Sequence, residues 1–201
     1  MKIIIEKYNP EWIDQFELVK KELETILKDL RPRIEHIGST SVPGLPAKPI
    51  IDIAVGIANI DDLNKTVKPM ISNHYLYFEA FNSMMPQRRL FVGLKNKEKT
   101  KKFKSVYSEN DIIPHEKLNY LRKCHVHIWE FQSSEWIRHV AFRDYLKEHP
   151  EIKRKYGEIK KQLSLKNWKN GMEYNDGKND FIKFEESKAI KWYKKKFSNK
   201  K

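Results

Sequence analysis

A glycine, two hydroxyl side chains and one carboxylate lie close enough in this sequence to form a phosphate site. Gly38, Ser39 and Thr40 follow a short strand-like segment, and Asp52 stands thirteen positions after Ser39 in the apolar run 49–57. A glycine lets the backbone come close to a triphosphate, the N–H groups and hydroxyls beside it donate hydrogen bonds, and a strand carboxylate binds Mg²⁺. The pattern therefore predicts a site for a phosphate group and a divalent metal ion.

The loop that joins these residues matches neither of the two common nucleotide-binding loops. In a P-loop a lysine directly follows the second glycine, whereas here Leu45 follows Gly44. The glycine spacing of a dinucleotide-binding loop is absent from this segment as well. The loop contains Pro43 and Pro46 and ends at Lys48, and we refer to it as the proline-rich loop. We expect the ammonium group of Lys48 to reach a phosphate held by Ser39.

Two histidines supply further candidate ligands. His125 and His127 are two residues apart in a predicted strand, so both side chains share one face of it. If this strand lies beside Asp52, the three side chains form a metal site whose imidazoles favour Zn²⁺, Mn²⁺ or Fe²⁺ over Mg²⁺. The alternative is that both histidines only make hydrogen bonds within a polar face of the sheet. His127 is also the candidate for a catalytic base.

Three arginines are candidates for phosphate binding, since a guanidinium group binds phosphate through two parallel hydrogen bonds. Arg88 and Arg89 begin a predicted strand and must point to opposite faces. Arg143 stands four residues after His139 and therefore shares a helix face with it. Ordinary ion pairs or exposure to solvent explain each arginine equally well.

Strands and helices alternate in the first two thirds of the chain, and the last third is helical. Asn9-Pro10 starts a helix whose apolar residues recur every three or four positions. Strands are predicted at 33–38, 49–57, 75–81, 88–94 and 124–131. Later helices are predicted at 116–123, after Ser133, after Pro150 with Tyr156 on the buried face, and over 178–197.

This order of elements predicts a single domain over residues 1–201, with a sheet in 1–132 and helices in 133–201. The expected fold class is α/β, or more loosely α+β, with a mixed five-stranded sheet flanked by helices.

The chain carries a large excess of positive charge. Its 40 Lys and Arg residues against 27 Asp and Glu residues give a formal net charge of +13. Such an excess attracts partners that carry phosphate groups, and the lysines concentrate at 95–104 and in the C-terminal tail. A nucleic acid could bind this surface, a small polyphosphate could be steered by it, or the lysines could simply be solvated.

Cysteine content and hydropathy exclude two classes of protein. The single cysteine, Cys124, rules out an internal disulfide framework. No apolar run approaches the roughly 18 residues that a membrane span needs, and the first apolar run is too short for a signal peptide. We therefore expect a cytoplasmic protein with no membrane contact.

Several blocks of the chain resemble the GrpB family, a nucleotidyltransferase-like group of the DNA polymerase beta-like superfamily. They are YNPEW, EHIGSTSVPGLPAKPIIDI, the strand with Arg88 and Arg89, HVHIWE, EWIRHVAFRDYLKEHPE, and the closing Tyr174, Lys178, Phe181 and Ile182. The resemblance covers nearly the whole chain. It implies a nucleotidyltransferase-like sheet with helices packed on it and a helical C-terminal extension.

The resemblance also implies a function in nucleotide chemistry. A nucleoside triphosphate would bind through Gly38, Ser39 and Lys48, with a divalent ion (Mg²⁺, Mn²⁺ or Zn²⁺) on Asp52. A nucleotidyl group would then be transferred to a hydroxyl of a small molecule or nucleic acid.

One departure from the superfamily pattern bears on this expectation. The superfamily has a second carboxylate two residues after the first, and Ala54 occupies that position here. The chain could therefore be an inactive module that binds nucleotide, coenzyme A-like ligands or RNA, or an accessory protein for a partner enzyme.

Overall fold

The first helix begins where the sequence indicates. In the computed structural model, which describes residues 2–169 and 171–198, helix α1 spans Glu11–Ile26. The Asn9 side chain accepts a hydrogen bond of 3.0 Å from the Glu11 N–H, which satisfies one of the free donors at the helix start. The buried face of the helix consists of Trp12, Phe16, Val19 and Leu23.

Five strands form one mixed sheet. They are β1 (Arg33–Ile37), β2 (Ile51–Ile57), β3 (Leu76–Tyr77), β4 (Arg89–Leu94) and β5 (Arg122–Glu130). Their order across the sheet is β1-β2-β5-β4-β3, with β2 and β5 parallel and the other neighbours antiparallel. The mixed five-stranded sheet predicted from the sequence is confirmed.

The two faces of the sheet differ in character, because successive side chains of a strand point to opposite faces. One face carries Ile53 and Val126, which are fully buried in the main apolar cluster together with residues of α1. The opposite face carries Asp52 and His125, which lie side by side in the parallel register of β2 and β5. The sheet thus has an apolar face and a polar face.

Helices cover both faces. On the apolar face, α1 is joined by α2 (Val67–Ser72), whose Met70 belongs to the same apolar cluster. On the polar face, α4 (Ser134–Glu148) packs against the sheet through Trp136 and Val140. The domain therefore has three layers.

The last three helices complete the layer on the polar face. They are α5 (Pro150–Ser164), α6 (Gly171–Asp176) and α7 (Asn179–Ser198). Arg138 of α4 donates a hydrogen bond of 2.6 Å to Glu186 of α7. No helix in the described part of the chain is long and apolar enough to cross a membrane.

Three elements differ from the sequence-based expectation. Strand β3 is only two residues long, because the chain turns into a 3-10 helix at Glu79–Phe81. The helix predicted at 116–123 is α3 (His115–Asn119), because Arg122 already pairs with Leu94 at the start of β5. Helix α6 has no counterpart among the predicted elements.

Candidate functional site

A cavity of about 480 Å³ lies between the polar face of the sheet and the C-terminal helices. Its lining includes Gly38, Ser39, Thr40, Lys48 and Asp52. We call Gly38, Ser39 and Thr40 the hydroxyl loop. The proline-rich loop separates it from Asp52 in the sequence, yet both face the same cavity.

Gly38 brings this loop into direct contact with Asp52. Its backbone has φ 70° and ψ −172°, a conformation that is essentially restricted to glycine. The position that a Cβ atom would take at residue 38 lies 2.5 Å from Oδ2 of Asp52. Any side chain at this position would collide with the carboxylate, so both conformation and space require glycine.

Asp52 and His125 are joined by a hydrogen bond of 3.0 Å between Oδ1 and Nδ1. Burial opposes ionisation of Asp52, but the hydrogen bond and charge of His125 outweigh it and lower the pKa of Asp52. Burial in turn lowers the pKa of His125. A neutral imidazole that donates from Nδ1 to the carboxylate keeps its Nε2 lone pair free for a metal ion.

His127 completes a cluster of three potential metal ligands. One donor atom from each of Asp52, His125 and His127 lies within 4.8 Å of the other two. Nδ1 of His127 is buried and has no hydrogen-bond partner among the described residues, which is costly for a polar atom unless a ligand engages it. Two imidazoles and one carboxylate suit Mn²⁺, Fe²⁺ or Zn²⁺. The residues present therefore fit one divalent ion.

Ala54 provides no second carboxylate at this cluster. It pairs with His127 in the strand register and is fully buried in an apolar cluster with Trp129 and Trp136. Within the described part of the chain, Asp52 is the only Asp or Glu that lines the cavity. The site thus offers ligands for one ion and no acid to bridge a second.

Lys160 of α5 lies beneath the hydroxyl loop and is 2% exposed. Its Nζ donates to Oγ of Ser39 at 2.9 Å and to the Pro46 carbonyl at 2.5 Å. The ring centroid of Tyr156 lies 4.5 Å from the same Nζ. Burial, followed by the charge of Lys178, lowers the pKa of Lys160 well below its usual value.

Three more cations line the same cavity: Lys48, Arg122 and Lys178. Nζ of Lys48 donates to Oδ1 of Asn119 at 2.5 Å, and burial, followed by the charge of Arg122, lowers the pKa of Lys48 to about 8. Burial also lowers the pKa of Arg122 to about 10 and that of Lys178 below its usual value. Together with Lys160 and Arg88, they make five basic side chains against one carboxylate, and this excess gives the cavity a positive potential that attracts anions.

Two further candidates, Thr40 and Arg88, also line the cavity. Thr40 is hydrogen-bonded through Oγ1 to Nε2 of His36 at 3.0 Å, and the imidazole of His36 stacks on Phe16 of α1. Thr40 therefore ties the loop to the apolar side of the sheet, whereas Arg88 extends along the polar side.

The structure does not bring Arg89 or Arg143 to the cavity. Arg89 donates to Oδ1 of Asn64 at 3.0 and 2.8 Å. Arg143 donates to Glu35 at 2.6 Å and to Asp144 at 2.7 Å. These two guanidinium groups are engaged by neighbouring side chains, which is the ion-pair or surface alternative that the sequence left open.

Sequence patterns did not single out Lys160, Arg122 or Lys178 as site residues. A signal exists for Lys160, which is four residues after Tyr156 and therefore lies on the buried face of α5. Arg122 begins β5, and Lys178 lies between α6 and α7. Residues at the ends of elements have no periodic pattern around them to reveal which way they point.

Known proteins resemble the chain over almost all of its length. Residues 2–188 match the family described as GrpB protein. The chain is 31% identical to the UPF0157 protein YqkA of Bacillus subtilis, over 96% of the chain and 49% of that protein. It is 30% identical to the glutamate-rich protein GrpB of Alkalihalophilus pseudofirmus, over 90% of the chain and 92% of that protein. The chain thus spans about half the length of YqkA.

A solved structure shares the fold. The crystal structure of conserved protein GrpB from Enterococcus faecalis superposes with a TM-score of 0.74 and 34% identity. The match covers 94% of this chain and 99% of that one.

Proposed function

The chain belongs to the GrpB family, and we propose that its cavity binds the phosphate groups of a nucleoside triphosphate together with one divalent metal ion. The observation that carries this proposal is that one cavity holds a single carboxylate, Asp52, and four basic side chains besides Arg88. The sheet supplies Asp52 and Arg122, the proline-rich loop supplies Lys48, and the C-terminal helical region supplies Lys160 and Lys178.

Burying a positive charge is costly, and burial is the main cause of the lowered pKa values of Lys48, Lys160 and Lys178; repulsion by neighbouring cations adds to it for Lys48 and Lys160. A triphosphate would compensate these charges through charge-assisted hydrogen bonds, which are about twice as strong as neutral ones. We call Ser39, Lys48, Lys160 and Lys178 the phosphate cradle. The N–H groups of Ser39 and Thr40 would add donors to it.

The cavity also has room and a surface for a nucleobase. Its volume of about 480 Å³ falls in the range of about 300–1,000 Å³ that is typical of small-molecule sites. Phe78 and Phe81, whose ring centroids lie 6.1 Å apart, form an apolar part of the wall near Arg122. The half-buried ring of Phe81 suits a planar base, since every base has a face that can stack.

Asp52, His125 and His127 would hold the metal ion. When bound, the ion would neutralise charge on the phosphate oxygens. The two imidazoles favour Mn²⁺ or Zn²⁺ over Mg²⁺. Lysine side chains of the cradle would orient the phosphates, and the apolar wall would exclude water from them.

Transfer of a nucleotidyl group to a hydroxyl is the further step that the family resemblance implies. It needs a group that accepts the hydroxyl proton, and His127, which burial keeps neutral, is the candidate in the cavity. A nitrogen that binds a metal ion cannot also accept a proton. His127 thus cannot fill both roles through one nitrogen, and Ala54 supplies no second carboxylate. Both points favour a second candidate function, a catalytically inactive module that binds nucleotide.

The test compares Lys160→Gln with the control Lys161→Gln. Lys161 is exposed on the same helix, so the control makes the same change in charge outside the cavity. Loss of a hydrogen bond to a charged group costs about 1.5–3 kcal/mol. We therefore expect Lys160→Gln to weaken ATP binding at least tenfold in the presence of Mn²⁺, and the control to leave it unchanged, as measured by isothermal titration calorimetry.

Equal ATP affinities in the two variants would remove Lys160 from the phosphate site, and failure of ATP, GTP, CTP and UTP to bind the wild-type protein would contradict nucleotide binding. Mass spectrometry for pyrophosphate release, with hydroxyl acceptors present, then separates the transferase from the inactive module.

A further inference from the structure

Arg88 lines the cavity at a distance from the phosphate cradle. It directly precedes β4, in which Leu90 pairs with His127 and Val92 pairs with His125. Residues two apart on one face of a strand are separated by about 7 Å. Along the strands, Arg88 therefore lies one two-residue step past His127. It lies two such steps, about 13 Å, past His125.

The electrostatic neighbours of Arg88 differ from those of the cradle. Lys178 lowers the pKa of both Lys48 and Lys160, as expected for a group of close neighbours. Arg88 is not among the groups that act on either lysine. Its charge instead lowers the pKa of His127, second only to burial. His127 thus separates Arg88 from the lysines along the cavity.

Arg88 is half-buried, and no acidic side chain in the described part of the chain is free to pair with it. Among residues 2–169 and 171–198, no hydrogen bond or ion pair engages its guanidinium group. Glu135 is the acid that acts on it most strongly, but Arg138 already donates to both Glu135 oxygens, at 3.3 and 2.8 Å. Even half-burial of a cation without a hydrogen-bonded partner is unfavourable unless an anion compensates it.

We propose that Arg88 binds the acidic group of the acceptor, a small molecule that carries a hydroxyl together with a carboxylate or phosphate group. This inference rests on the proposed function, because the metal cluster would lie between the nucleotide and the acceptor. A guanidinium group binds either oxyanion through two parallel hydrogen bonds. Arg88 and His125 are about 13 Å apart along the strands, and the long arginine side chain covers part of this distance. The remaining gap suits a molecule of a few carbon atoms whose hydroxyl reaches the metal cluster.

Three probes of similar size separate the effect of charge from that of shape: glycerol 3-phosphate, glycerate and glycerol. Isothermal titration calorimetry with the full chain and Mn²⁺ measures each probe, first alone and then with a saturating non-hydrolysable ATP analogue. We expect at least one anionic probe to bind and glycerol not to bind. The anion that binds more tightly identifies the acidic group.

Variants at two adjacent arginines provide the control. Arg88→Gln should weaken binding of the anionic probe at least tenfold. Arg88→Lys, which keeps the charge but loses the two parallel hydrogen bonds, should weaken it less. Arg89→Gln makes the same charge change outside the cavity and should leave binding unchanged.

Lys160→Gln distinguishes this proposal from the proposed function. It should weaken ATP binding and spare the anionic probe, whereas Arg88→Gln should do the reverse. If ATP fails to bind the wild-type protein while probe binding depends on Arg88, the nucleotide proposal fails and the anion site stands. The Arg88 proposal is overturned if neither anionic probe binds, if Arg88→Gln binds them as tightly as the wild type, or if Arg88→Gln loses ATP instead.

Discussion

The two faces of the sheet are built from the same strands and yet have opposite properties. Ile53 and Val126 point to the apolar face and are fully buried among other apolar side chains. Asp52 and His125, their neighbours in sequence, point to the cavity and keep 33% and 25% of their side-chain surface exposed.

The apolar face stabilises the fold, whereas the polar face is the one that we propose to bind a ligand. Apolar burial on the α1 side supplies the main driving force for folding. The cavity side instead collects cations whose pKa values are lowered by burial, which is a cost in stability. A fold tolerates such a cost where a ligand compensates it, which supports the proposal that the polar face binds the ligand.

The largest expected effect comes from the apolar face. Ile53→Ala removes a fully buried side chain from the centre of the sheet. Deletions of this kind cost about 2–5 kcal/mol in the free energy of unfolding. Urea denaturation should show this loss as a lower midpoint with an unchanged slope.

His125→Ala is the matched change on the polar face. It removes a partly exposed ring and one hydrogen bond to Asp52, so we expect a smaller loss of about 1–2 kcal/mol. A loss equal to that of Ile53→Ala would erase the distinction between the two faces.

An effect of intermediate size is expected for the metal cluster. Ligand at 100 times its dissociation constant stabilises a protein by about 2.7 kcal/mol. Mn²⁺ should therefore raise the melting temperature of the wild type, and Asp52→Ala should abolish that rise. Asp61→Ala, at an exposed position, is the control. An unchanged Mn²⁺ effect in Asp52→Ala would remove this carboxylate from the ligand set.

The smallest effect is a pH dependence that arises from Lys48. Its pKa falls from 10.5 to about 8 in the folded protein. Between these two values the unfolded chain binds the proton and the folded chain does not, so stability without ligand rises with pH across this window. A bound triphosphate favours the charged lysine, so ATP affinity should decrease as pH rises above about 8.

Calorimetric titrations between about pH 7 and 9.5 measure this decrease. Lys48→Arg keeps its charge throughout the range and should flatten the profile. Equal pH profiles for the two proteins would show that Lys48 does not contact the phosphate groups.

Local patterns predicted much of the fold and part of the site. The capped helix α1 and strands β1, β2, β4 and β5 occur within a few residues of the expected positions. The candidates Ser39 and Asp52 line one cavity. Alternation also put Arg88 and Arg89 on opposite faces, but it could not say which one faces the cavity, because that depends on pairing with β5.

The rest of the cradle could not be predicted in this way. Ser39 and Lys160 are 121 residues apart, and their hydrogen bond exists only because α5 packs against the hydroxyl loop. The backbone of α5 at Gly157 passes so close to the ring of Pro46 that a Cβ atom on the glycine would lie 3.2 Å from Cδ of Pro46. No local periodicity encodes such a contact.

The sequence by itself determined the positions of most strands and helices, and that Ala54 stands two residues after Asp52 in place of a second acid. These features depend on backbone geometry over a few neighbouring residues. Only the tertiary structure decided that His125 pairs with Asp52 and that Lys160 and Lys178 face the same cavity. The reason is that such encounters depend on strand register and helix packing between distant segments, which short-range steric rules leave undetermined.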